Sequence, residues 1–146
     1  MSTTTEPAAD ELLHAAALTK ADVDALETFL KGRFNAMWRA DPDHVAGDLY
    51  RAASALADVL HDLVKSVRAC FHYDDGSPKL LLARMRHWNR LVRFAERWHD
   101  ADGYHQARWI YLFHVDAEDV ASSAEFALGR EREEAARERD RLLQSL

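Results

Sequence analysis

SPKLLLARMRHWNRLVRFAERWH, residues Ser77 to His99, is the stretch that decides the fold. Ser77 is a helix N-cap by type, and Pro78 suits the first helical position. Leu81, Met85, Trp88, Val92 and Ala95 follow at alternating spacings of four and three, the period of one helical face. Almost directly opposite, Arg86, Arg90, Arg93 and Arg97 fall at i, i+4, i+7 and i+11. A helix with one apolar and one basic side needs other helices to cover the apolar side.

Those partners are legible on both flanks. Toward the N-terminus, Thr19 to Asp22 has the hydroxyl-then-carboxylate spacing of a capping box. It opens a helix to about Ala40 with Val23, Leu26, Leu30, Phe34 and Met37 inward. Phe29 and Trp38 widen the stripe, and Gly32 inside it costs about 1 kcal/mol relative to Ala. Asp41-Pro42 is a second cap-plus-proline signal. The helix expected from it runs from Asp43 to about Phe71, with Leu49, Ala53, Leu56, Leu60, Leu63, Val64, Val67 and Phe71 buried. Asp74-Asp75-Gly76 ends it.

Beyond the arginine helix, Asp102-Gly103 makes a break, and a long final helix is expected from near Tyr104. Its inward positions would be Ile110, Phe113, Ala117, Val120, Ala124 and Leu128. Trp109 to Phe113 is strand-like in composition, but the chain offers no partner strand. A short helix is also expected over Ala9 to Leu18. The fold class is therefore all-α: a single-domain bundle of about four main helices over residues 9–129. Residues 1–8 read as a disordered tail and 130–146 as a charged helical extension. In that extension Arg130–Glu134 and Glu133–Arg137 are spaced for i, i+4 pairs. Leu128, Ala135 and Leu142 leave a thin heptad trace.

Composition agrees with this. The 146 residues are 48% hydrophobic and 30% charged, with only five Gly and three Pro, which favours helix over disorder. The single cysteine, Cys70, excludes an intramolecular disulfide and reads as a small hydrophobe. The N-terminus lacks the basic and apolar regions of a signal peptide, and no apolar run suits a membrane span, so the expected location is cytoplasmic.

Charge is the strongest pointer to function. From Ser77 to His99 six basic residues oppose one acid, a charge of +5, while the whole chain carries −6 and the remainder −11. Guanidinium forks suit phosphates and carboxylates. The face Arg86, Arg90, Arg93 and Arg97, with Arg84 and Lys79, is the candidate binding surface, and Trp98 a candidate stacking plane beside it. The bland alternative is a solvated outer face, although such faces usually mix signs. The acidic segment Asp100 to Gly129, with net charge −5, is a candidate to neutralise the stripe within the chain or across a dimer.

The expected function is a non-enzymatic helical interaction protein, a small subunit or oligomer that docks on a protein partner or self-associates through the arginine face. Nucleic-acid binding through Arg86, Arg90, Arg93 and Arg97 is the first alternative. An enzyme is the second. Glu11-Leu-Leu-His14 and Glu96-Arg-Trp-His99 have the spacing of di-metal helical bundles. Arg93 and His99 are spaced like the Arg/His pairs of small helical ribonucleases, with Phe94 where a polar residue would be expected. No phosphate loop, nucleophile elbow or zinc-protease pattern occurs. No cofactor, metal or membrane is called for.

Overall fold

The computed structural model describes residues 10–41, 47–72 and 76–145. Its four α-helices are α1 (Lys20–Arg39), α2 (Asp48–His72), α3 (Pro78–Ala95) and α4 (Ala117–Gln144), with short 3-10 turns at Ala15–Ala17 and Glu96–Trp98. There is no strand among the described residues. No helix is long and apolar enough to cross a membrane.

Helices α1, α2 and α3 pack in sequence order and share one core. It is built from Val23, Leu26, Leu30 and Phe34 of α1, Ala53, Leu60, Val64 and Val67 of α2, and Leu81, Trp88, Leu91, Val92 and Ala95 of α3. The caps form as their residue types dictate. The Thr19 hydroxyl accepts from the Asp22 amide while the Asp22 carboxylate accepts from the Thr19 amide. The Ser77 hydroxyl accepts from the Leu80 amide, with Pro78 at the first helical position.

Four expectations are corrected. First, no helix runs to Leu18: only Ala15–Ala17 is helical among the described residues there. The amides of Leu12, Ala15 and Ala16 instead donate to the carbonyls of Ala107, His114 and Val115, so they are lost to an i−4 ladder. Leu12, Ala15 and Leu18 are nevertheless fully buried. Second, α2 begins at Asp48, after Gly47, rather than at Asp43. Pro42 and Asp43 lie outside the described residues, as do Asp74 and Asp75 at its far end. Leu49, in the first turn, is exposed.

Third, no helix starts near Tyr104. Residues 104–116 form an irregular strap, and α4 begins only at Ala117, capped by the Asp116 carboxylate on the Asp119 amide. The strap is held by side chains of α3. Trp88 Nε1 donates to the Ile110 carbonyl at 2.9 Å. The Asn89 amide pairs with both backbone groups of Leu112, at 2.8 and 2.9 Å. Local helix competes poorly when long-range partners satisfy the backbone of so short a segment. Fourth, α4 buries none of its residues: Leu128, at 52%, is exposed rather than inward, as is Phe113 of the strap, at 77%. The core position assigned to α4 is taken by the strap, through Trp109 and Leu112.

Candidate basic face and its buried anchor

The arginine row is present and open. Arg86, Arg90, Arg93 and Arg97 are all exposed, as is Lys79 two turns before Arg86. Among the described residues none of the four forms an ion pair with a carboxylate. The acids of 100–129 do not neutralise the row within the chain. Of these, Asp119 serves the Val115 amide and His114, and Asp116 caps α4.

The row is not uniform. The regular α-helix ends at Ala95, so Arg97 sits in the 3-10 turn and folds back to donate to the carbonyls of Arg93 and Phe94, at 3.2 and 3.4 Å. It caps α3, where unsatisfied carbonyls and the helix dipole favour a cation. Arg86, Arg90 and Arg93 keep their guanidinium groups free of hydrogen bonds among the described residues.

Arg84 does not belong to this face. It is 3% exposed, stacks on Phe71 at 4.2 Å and donates to the Cys70 carbonyl at the end of α2. Its position puts it on the core side of α3, where it satisfies the C-terminal turn of the neighbouring helix. Trp98 is half-buried and packs on Phe34 and Phe94, ring centroids 5.6 and 5.9 Å away, so it is a corner of the core rather than an open stacking plane.

Two grooves flank the row. One lies between α2 and α3 and is lined by Val59, Asp62, Ser66, His87 and Arg90. Burial holds the His87 imidazole below its usual range, with Arg90 and Arg86 adding repulsion. The other groove, about 550 Å³, runs from Glu96 and Arg97 to the strap at Tyr104, Trp109 and Tyr111. The Tyr104 phenol is pushed up to about 12 by burial, with the Glu96 charge next. The Tyr111 phenol is also raised, by burial and then Glu96, while Arg93 and Arg97 act in the opposite direction.

Sequence reasoning missed the arrangement that fixes the strap and hence the far edge of this surface. Arg108 is buried and makes a two-pronged pair with Asp22: Nε to Oδ1 at 2.9 Å and Nη2 to Oδ2 at 2.7 Å. It also donates to the carbonyls of Ala17 and Asp10. The Asp22 oxygen that receives Nη2 is the one that caps α1, so one carboxylate closes a helix start and anchors a segment 86 residues away. The signal available in the sequence was slight: Arg108 is the lone basic residue between Asp100 and Gly129.

The enzyme-like patterns do not converge. His14 caps the first 3-10 turn by accepting from the Ala17 amide, and His99 Nδ1 lies 2.9 Å from the Glu96 carbonyl. Among the described residues, no group of three or more His, Cys, Asp or Glu side chains is arranged to hold a metal ion. Cys70 is buried, its thiol pushed up by desolvation, and contacts the Ser66 carbonyl. Comparison with protein-family models, with curated proteins and with solved structures returns no match to this chain.

Proposed function

We propose that the protein is a non-enzymatic helical docking module, cytoplasmic, whose α3 face binds an acidic protein surface through Arg86, Arg90 and Arg93, with Arg97 and Lys79 at its ends. The observation that carries this is the pairing pattern. In a chain with more acids than bases, Arg51, Arg68, Arg108, Arg137 and Arg141 hold carboxylates, while the other arginines without an ion pair among the described residues, Arg33, Arg39, Arg130, Arg132 and Arg139, stand apart on α1 or among the acids of α4 and form no single-sign row. Arg86, Arg90, Arg93 and Arg97 hold no carboxylate among the described residues, although like charges at i, i+4 repel. A face kept basic against that cost suits a partner that supplies the anions.

The test is a titration of the purified protein with fluorescent polyglutamate and with labelled single- and double-stranded RNA and DNA, at several salt concentrations. The Arg86/Arg90/Arg93/Arg97→Ala variant runs alongside. The reading requires polyglutamate binding that the variant loses. Nucleic-acid binding with a log–log salt slope near −3 to −4, for about three or four phosphate contacts, would move the assignment to nucleic acid. Equal behaviour of wild type and variant on every probe would refute a docking role for the face.

A further inference from the structure

Helix α4 is 28 residues long, yet none of its residues is buried in this chain. One line along its surface carries a heptad pattern, with Phe126 and Leu143 lying off it. Ala121, Leu128, Ala135 and Leu142 recur at seven-residue spacing, and Ala117 and Ala124 fill the intermediate position in the first half. In heptad terms these are a and d. The intermediate position in the second half holds Glu131 and Glu138, whose aliphatic stems can cover the line while their carboxylates reach water.

The flanking position next to this line, e of the heptad, reads Glu118, Glu125, Arg132, Arg139: two acids, then two bases. None of the four has an ion-pair partner among the described residues. Other α4 charges do, since Glu133 pairs with Arg137 and Glu138 with Arg141 along the helix. The Arg130–Glu134 pair expected from spacing does not form.

We infer that α4 pairs antiparallel with α4 of a second copy of this chain. Antiparallel coiled coils bring a against d and e against e of the partner. The register that sets Ala124 against the partner's Ala135 also sets Ala117 against the partner's Leu142, and it places the stems of the partner's Glu131 and the partner's Glu138 over Leu128 and Ala121. In that register Glu118 meets the partner's Arg139, and Glu125 meets the partner's Arg132. Two-fold symmetry repeats both pairs, so every e position finds an opposite charge. A parallel pair would instead set e against g, where only Glu134 meets an opposite charge, the partner's Arg139, while Val120 and Ala127 face Glu125 and Arg132 unmatched. The seam spans about 38 Å at 1.5 Å per residue. The pairing leaves α3 uninvolved and is independent of the docking function proposed above.

The experiment is sedimentation equilibrium on the full chain over a range of protein concentrations. Wild type is expected to shift from monomer to dimer. Glu118→Arg/Glu125→Arg makes the e line uniformly basic, and Arg132→Glu/Arg139→Glu makes it uniformly acidic. Each variant alone is expected to dimerise at least about tenfold more weakly. An equimolar mixture of the two is expected to recover dimer, which e-to-e contact requires and misfolding would prevent. The Arg86/Arg90/Arg93/Arg97→Ala protein is expected to dimerise like wild type. Wild type that stays monomeric, variants that dimerise unchanged, or a mixture that fails to recover would each overturn the proposal.

Discussion

Replacing Arg108 by Ala removes the cation from a carboxylate that is itself 0% exposed. Two charge-assisted bonds, at 2.7 and 2.9 Å, disappear, together with donors to the carbonyls of Ala17 and Asp10. Asp22 keeps the Thr19 amide and hydroxyl, at 2.9 and 3.0 Å, but these were already engaged. Breaking a buried pair from one side costs roughly 3–5 kcal/mol, because the remaining charge stays desolvated. At about 2–4 °C per kcal/mol for a chain of this size, the melting temperature should fall by roughly 6–20 °C. Arg108→Lys keeps the charge and loses the planar fork, so it should recover only part of the loss. Urea unfolding followed by circular dichroism is the assay, read as a midpoint shift at constant slope. A loss under about 1 kcal/mol for Arg108→Ala, or full recovery by Lys, would refute the claim that the two-pronged pair anchors the strap.

Two further outcomes follow from the geometry. The His87 imidazole titrates below its usual 6.5 in the folded protein. The unfolded chain therefore binds the proton first, and stability should fall as pH drops from about 7 toward 5; His87→Gln should flatten that part of the urea-midpoint profile. Asn89→Leu strips both backbone groups of Leu112 of their partner and should cost about 1–3 kcal/mol with loss of amide-exchange protection at Leu112. Asn89→Asp keeps the acceptor, so the Leu112 amide should stay protected; equal exposure in both variants would count against the clamp.

The helices of the bundle were legible because their signals are local. Thr19 with Asp22 and Ser77 with Pro78 specify starts within four residues, and the Val23-to-Phe34 and Leu81-to-Ala95 periods specify faces. The strap was illegible because its partners are remote. Trp109 to Phe113 carries apolar residues at no clear period, and nothing near it says that Asn89 and Trp88 will hold its carbonyls. The same holds for α4, where Ala-rich spacing resembles a buried face yet no element among the described residues buries it. The basic row was visible as a pattern. Arg84 was misplaced with it because charge alone does not separate a surface arginine from one stacked on Phe71.

The Asp22–Arg108 pair also sets an order of events during synthesis. When α1, α2 and α3 have all left the ribosome, Asp22 still lacks its counter-ion and Trp88 and Asn89 still lack the carbonyls of residues 110 and 112. Until the strap is made, the surface that it covers is open to water and Asp22 is hydrated rather than paired. The Asp22–Arg108 pair and the bonds from Trp88 and Asn89 to the strap therefore form only after residue 112 has been made, among the last of the bundle's contacts to become available.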